Sequence, residues 1–233
     1  MDRDRHQPET YDEELLEPEA IEHEGDSARL GRMEAELTFG FRALAGVECG
    51  VSVFGSARTP AGHPEYELAR HTAGLLGEAG FTVITGGGPG IMEAANRGAR
   101  EAGATSVGLS IDLPFEAGLN RYVDIPLEFH YFFTRKVMFV RYAGAFVVFP
   151  GGYGTFDEVF EALTLIQTRK IRHFPVILVG SDYWGGLVDW LRERALGEGK
   201  ILPEDFSLLS VTDDPDEVVR LALPALEHRR RAA

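Results

Sequence analysis

The segment FPGGYGTFDEVFE, residues 149–161, places Gly151, Gly152, Gly154 and Thr155 between an apolar run and an amphipathic stretch. Glycines there let the backbone turn successive N–H groups toward one point. A helix N-terminus behind them adds its own unpaired amides and dipole, and the combination suits a phosphate. Acids follow at once: Asp157, Glu158 and, one turn on, Glu161. A carboxylate one turn past a phosphate nest would face the sugar of a bound nucleotide. The same residues admit a structural account. Thr155 to Glu158 spells T-x-x-E, a capping box in which Glu158 reaches back to the Thr155 N–H, with Asp157 an ordinary first-turn acid. Residue types alone leave both accounts open.

Three other segments carry unusual residues. FGSAR (54–58) holds Ser56, a hydroxyl able to donate to a phosphate, and Arg58 beside it. TGGGPGIME (85–93) holds Gly87 and Gly88, with Glu93, early in its helix, read as a dipole-favoured surface or wall residue and not as a catalyst. Tyr131 to Lys136 opens a helix with aromatic residues and two adjacent cations. Arg135 stands in a first or second turn, where the dipole disfavours a cation, and Phe132, Phe133, Val137 and Met138 flank it. A partly buried Arg needs an acidic partner; Glu158 or a bound phosphate would serve. Neither the P-loop pattern GxxxxGK[ST] nor the dinucleotide pattern GxGxxG is satisfied, because GSAR follows the first strand and Ile91 replaces the last glycine of the second loop.

The elements that must hold these loops are legible from 50 onward. Short apolar runs (GVSVFGS, FTVITGG, TSVGLSI, RYVDIPL, AFVVFPGG, PVILVG, FSLLSVT) alternate with helical patterns near 64–79, 89–102, 131–143, 155–168, 183–197 and 215–228. Runs apolar on both faces and separated by helices predict a parallel sheet covered on both sides. The fold class is therefore α/β, a Rossmann-like doubly wound parallel sheet. In such a fold ligands gather where strand carboxyl ends feed helix N-termini, and the four unusual segments fall on that rim. Residues 27–46 show helical spacing at Leu30, Met33, Leu37, Phe41 and Leu44 and are expected to pack on the domain. Residues 1–26, acidic and poor in aliphatics, are read as a flexible tail, which leaves 27–233 as a single domain.

Composition narrows the function. Acids outnumber bases 37 to 23, a formal charge of -14, which argues against nucleic-acid or anionic-membrane partners. A single cysteine, Cys49, excludes a disulfide framework. The histidines fall singly, so no metal site is assigned. The N-terminus lacks a signal-peptide core and no apolar run reaches spanning length, so a cytoplasmic protein is expected.

GGGPGIMEAANRGA (86–99), FFTRK (132–136) and PGGYGTFDE (150–158) resemble the LOG (Lonely Guy) family, long misannotated as lysine decarboxylases. The resemblance spans about residues 48–180. It implies a Rossmann-like homodimer, without a cofactor, that cleaves the N-glycosidic bond of AMP or cytokinin riboside 5'-monophosphates to free base and ribose 5-phosphate. Carried onto this chain, it makes Arg135 and Glu158 the catalytic pair. Gly151, Gly152, Gly154 and Thr155 then hold the phosphate. The rim loops themselves add Ser56, Gly87, Gly88 and Lys136 as residues expected at the substrate. Plant members commonly carry His where Phe133 stands and Gly where Glu93 stands, so the chain looks like a second bacterial branch. A non-catalytic nucleotide or molybdenum-cofactor carrier of the same fold is the alternative. A PLP decarboxylase would need Lys136 as its imine-forming residue.

Overall fold

A computed structural model describes residues 23–112, 118–171 and 174–232. Helix α1 spans His23–Ala43, so the helix begins four residues inside the stretch read as a tail; the rest of that stretch lies outside the described residues. Then follow β1 (Gly50–Phe54), α2 (Pro64–Glu78), β2 (Thr82–Thr85), α3 (Ile91–Glu101), β3 (Ser106–Ile111) and β4 (Ile125–Phe129). The second half comprises α4 (Phe132–Tyr142), β5 (Ala143–Val148), α5 (Tyr153–Gln167), β6 (Val176–Val179) and α6 (Ser181–Trp190). It closes with α7 (Pro203–Phe206), β7 (Leu209–Thr212) and α8 (Pro215–Ala232). Gly80 and Gly103 take φ of 100° and 74° just past α2 and α3, the left-handed turn with which glycine ends a helix.

The strands form one parallel sheet in the order β4-β3-β2-β1-β5-β6-β7. Register pairs Val51 with Val83 across β1 and β2, and Val53 with Val147 across β1 and β5. Successive side chains alternate faces, and both faces of the central strands are covered, which is why β5 and β6 are buried at every position. Phe54, Ile84, Phe146 and Val148 meet Phe139 of α4, Val159 and Ala162 of α5, and Trp184 of α6. Val51, Val53, Val83 and Val147 meet Ala69 and Leu76 of α2, Ala94 of α3 and Val218 of α8. Burying each large apolar side chain contributes about 1.5–3 kcal/mol.

Helix α1 packs as expected toward its C-terminal end, with Leu37 against the core and Leu44, just past the helix, fully buried. The expected stripe does not hold throughout, because Leu30 and Phe41 remain exposed. The helix lies over α4 and the β4 edge, so only part of its circumference faces the domain.

Candidate active site

The central pair β1 and β5 brings together loops that are far apart in sequence. Strand order runs outward from β1 through β2 on one side and through β5 on the other, so a crevice opens at their carboxyl ends. The loops there are stitched together by backbone. The Ser56 N–H donates to the Pro150 carbonyl at 2.8 Å, and the Ile91 N–H donates to the Ser56 carbonyl at 3.0 Å. Ser56 thus links the β2 loop to the β5 loop. Its Oγ accepts from the Arg58 N–H at 3.0 Å, and the Arg58 side chain is exposed.

Helix α5 starts at Tyr153, two residues before the position that its sequence suggests, and Gly152 is its N-cap with no side-chain cap. Thr155 and Phe156 both donate their N–H groups to the Gly152 carbonyl, at 2.9 and 3.1 Å. Thr155 is therefore inside the helix, and the capping-box account fails: its N–H already has a partner that is not Glu158. The amides of Tyr153 and Gly154 meet no carbonyl among the described residues, as first-turn amides do when a ligand is to supply the acceptor. A Cβ on Gly152 or Gly154 would meet nothing within 4 Å, whereas one on Gly151 would run into the Thr155 side chain. The Gly151 carbonyl accepts from the Tyr183 hydroxyl at 2.5 Å, so α6 braces the loop from the far side.

Glu158 sits one turn into α5 with only 8% of its surface exposed. Its Oε2 is buried and has no hydrogen-bond partner among the described residues. Burial pushes its pKa up to about 7; the Lys136 charge opposes this, the Glu161 charge adds to it, and Arg135 opposes it further. Lys136 Nζ lies 3.9 Å from Glu158 Oε1, 2.8 Å from Asp157 Oδ2 and 2.9 Å from Glu161 Oε2. Desolvation alone would lower the lysine pKa, but hydrogen bonds to Asp157 and Glu161 outweigh it and the net shift is upward. Lys136 is thus held as an ammonium among acids. A buried polar atom without a partner is costly, and such costs persist where a ligand or a reaction uses them.

Arg135 reaches the other way. Its Nε donates to the Leu109 carbonyl at 2.8 Å, and its guanidinium lies over the Phe139 ring, 5.2 Å from the centroid. A Cβ on Gly86 would come within 2.5 Å of Arg135 Nη2 and 2.7 Å of Met92 Sδ, so a side chain there would displace the arginine from its place along this loop. Arg135 therefore joins the β2 loop to the crevice, and its charge still reaches Glu158.

The β2 loop is held from beneath. Gly87, at φ 75°, donates its N–H to Thr85 Oγ1 at 2.9 Å. Asn120 Nδ2 donates to the Gly87 carbonyl at 2.9 Å, to the Gly88 carbonyl at 3.1 Å and to Asn96 Oδ1 at 2.9 Å. Asn96 is fully buried and donates onward to Ser106 Oγ and the Val107 carbonyl. Gly87 and Gly88 thus lie in the crevice wall on a rigid polar support. Glu93 accepts from the Tyr66 hydroxyl at 3.1 Å, consistent with a wall residue. Asn120 and Tyr183 escaped the sequence reading because neither belongs to a glycine loop. Nothing local distinguishes them, and their roles arise from strand order. Of the aromatic residues beside the nest, Phe156 packs edge-on against Trp184 at 5.4 Å, while Phe160 stays exposed. Phe160 and Lys136 both line a groove of about 510 Å³ along the outer side of α5.

No described helix is long and apolar enough to cross a membrane. A family model described as possible lysine decarboxylase matches residues 92–222. The cytokinin riboside 5'-monophosphate phosphoribohydrolase of Mycobacterium tuberculosis is 30% identical over 166 residues, covering 68% of this chain and 86% of that protein. The pyrimidine/purine nucleotide 5'-monophosphate nucleosidase of Escherichia coli K12 is 29% identical over 189 residues, 72% of this chain and 39% of that protein. Among solved structures, the molybdenum cofactor binding protein of Rippkaea orientalis matches with a TM-score of 0.58 at 20% identity, over 76% of this chain and 97% of that one; the likeness is one of fold. With a family match across more than half its length and a relative aligned over most of that protein, the chain belongs to the LOG family, the family whose model is described as possible lysine decarboxylase.

Proposed function

We propose that this protein is a nucleoside 5'-monophosphate phosphoribohydrolase acting on AMP or cytokinin riboside 5'-monophosphates. The observation that carries the reading is the buried Oε2 of Glu158, unpartnered among the described residues, one turn beyond a helix start whose first amides meet no acceptor among those residues. In this reading the substrate phosphate docks on the amides of 151–155 and the ribose lies against Glu158. As the C1'–N bond lengthens, its electron pair leaves with the base and the sugar becomes oxocarbenium-like, as in glycoside hydrolysis. An ionised Glu158 stabilises that positive charge and takes a proton from the attacking water. The water oxygen bonds to C1', the departing base takes up a proton from solvent, and Glu158 returns its own proton to solvent, giving free base and ribose 5-phosphate. Phosphate binding thus helps the chemistry by fixing the sugar against the carboxylate. Arg135 helps to keep Glu158 ionised from the β2-loop side of the crevice.

A decarboxylase working through a lysine imine is disfavoured, because such chemistry needs an unprotonated amine and Lys136 is held as an ammonium by Asp157 and Glu161. We further propose a homodimer. Phe132, Phe133 and Val137 of α4, with Tyr153 and Phe160 of α5, are exposed apolar side chains close to the crevice, and an apolar surface of this kind suits a second copy.

The test is incubation of the protein with AMP and a panel of purine and pyrimidine monophosphates, with chromatography of the products. Free base and ribose 5-phosphate are expected, and Glu158→Gln and Arg135→Ala should each abolish release while circular dichroism stays unchanged. Tight binding of every monophosphate without turnover would favour a carrier instead.

A further inference from the structure

We infer that Glu36, on the N-terminal helix α1 and outside the matched family region 92–222, is a positioning residue for Arg135. The inference rests on the functional reading above. The first turn of α4 reads Phe132-Phe133-Thr134-Arg135, with no acid of its own, and its N-cap Tyr131 makes no side-chain cap. Helix starts normally recruit a capping oxygen or an acid. Here the carboxylate comes from another helix. Glu36 Oε1 accepts from the His130 N–H at 3.0 Å and lies 2.8 Å from His130 Nδ1. Glu36 Oε2 accepts from the Thr134 hydroxyl at 2.7 Å, and that hydroxyl also lies 2.8 Å from the Tyr131 carbonyl.

One carboxylate thus grips α4 both before and within its first turn, with its side chain only 11% exposed. Arg32, one turn earlier on α1, donates from Nε to the Tyr131 hydroxyl at 3.3 Å, a second tie between the same elements. Arg135 follows Thr134 directly, so a shift of this turn moves the guanidinium off the Leu109 carbonyl and away from the Gly86 backbone. The phosphate nest belongs to α5 and is not held by Glu36. A loss at Glu36 therefore affects the chemical step and spares phosphate binding.

The test compares Glu36→Ala and Glu36→Gln with the parent for kcat, KM and ribose 5-phosphate affinity, together with amide exchange at 132–136. Glu36→Ala is expected to lower kcat by about tenfold to a hundredfold, as displacement of an aligned group does, with KM and ribose 5-phosphate affinity within about twofold. Glu36→Gln keeps an acceptor for the His130 N–H and is expected to recover most of the loss. A parental kcat in Glu36→Ala, equal losses in kcat and ribose 5-phosphate affinity, or no recovery in Glu36→Gln would overturn the role. If the parent itself releases no base, the functional reading fails. Amide exchange then decides the clamp alone: faster exchange at 132–136 in Glu36→Ala supports it, and unchanged exchange overturns it.

Discussion

Lys136 Nζ stands 3.9 Å from Glu158 Oε1 while closing shorter ion pairs with Asp157 and Glu161. The lysine therefore tempers the buried carboxylate without neutralising it: burial pushes the Glu158 pKa up to about 7, and Lys136 is the largest opposing influence. A carboxylate that titrates near neutrality can hold or release a proton at modest cost.

Base release should depend on pH through Glu158. The proposed chemistry needs the ionised form, so kcat/KM is expected to rise with pH up to about 7 and then level off. Lys136→Met removes the charge that favours ionisation and should move this limb upward by about one pH unit. A pH–rate profile of both proteins checks the point; a limb falling with pH in the same range would mean that Glu158 works as an acid.

The same burial should cost stability. The folded pKa of Glu158 is raised above the unfolded value of 4.5, so the folded state binds more protons between pH 4.5 and about 7. Stability contributed by the protonated carboxyl is fully present below 4.5 and is lost as pH rises through about 7. Glu158→Gln removes the titration and should be more stable than the parent by about 2–4 kcal/mol at pH 8, at 1.36 kcal/mol per unit. Near pH 4 the two should melt together. Thermal unfolding at both pH values measures the difference.

The nest glycines should separate into two kinds. Gly151→Ala drives a methyl into the Thr155 side chain and is expected to destabilise the protein by about 1–3 kcal/mol and to weaken ribose 5-phosphate binding. Gly154→Ala meets open space within the first turn of α5 and should leave the melting temperature level or slightly raised, by up to about 1 kcal/mol of stability. Melting curves and calorimetric titration with ribose 5-phosphate distinguish the two.

Tyr183→Phe deletes the hydroxyl that holds the Gly151 carbonyl. One hydrogen bond on a half-exposed ring is worth about 1 kcal/mol, so the fold should survive. A looser nest should raise KM for the monophosphate about fivefold, on the scale of 1.4 kcal/mol per tenfold. An unchanged KM would show that the loop holds its shape without this brace.

The local features were legible because they repeat at short range. Apolar runs such as AFVVF (145–149), glycine stops such as Gly80, and the glycine-then-acid order at 150–158 each depend on neighbours within a turn or a strand. They were enough for seven strands, for a covered parallel sheet, and for the rim on which Ser56, Gly87, Arg135 and Glu158 would gather. Tertiary structure decided the rest. Whether Glu158 caps its own helix or lies buried depended on where α5 begins, and glycines moved that start to Tyr153. Which cation comes nearest to it depended on the placement of α4 against α5, which brings Lys136 to the acids and lays Arg135 along Gly86. The grips of Glu36 on Thr134, Tyr183 on Gly151 and Asn120 on Gly87 join residues 98, 32 and 33 positions apart. Periodicity carries no trace of such contacts, because strand order and helix packing create them only when the whole sheet has closed.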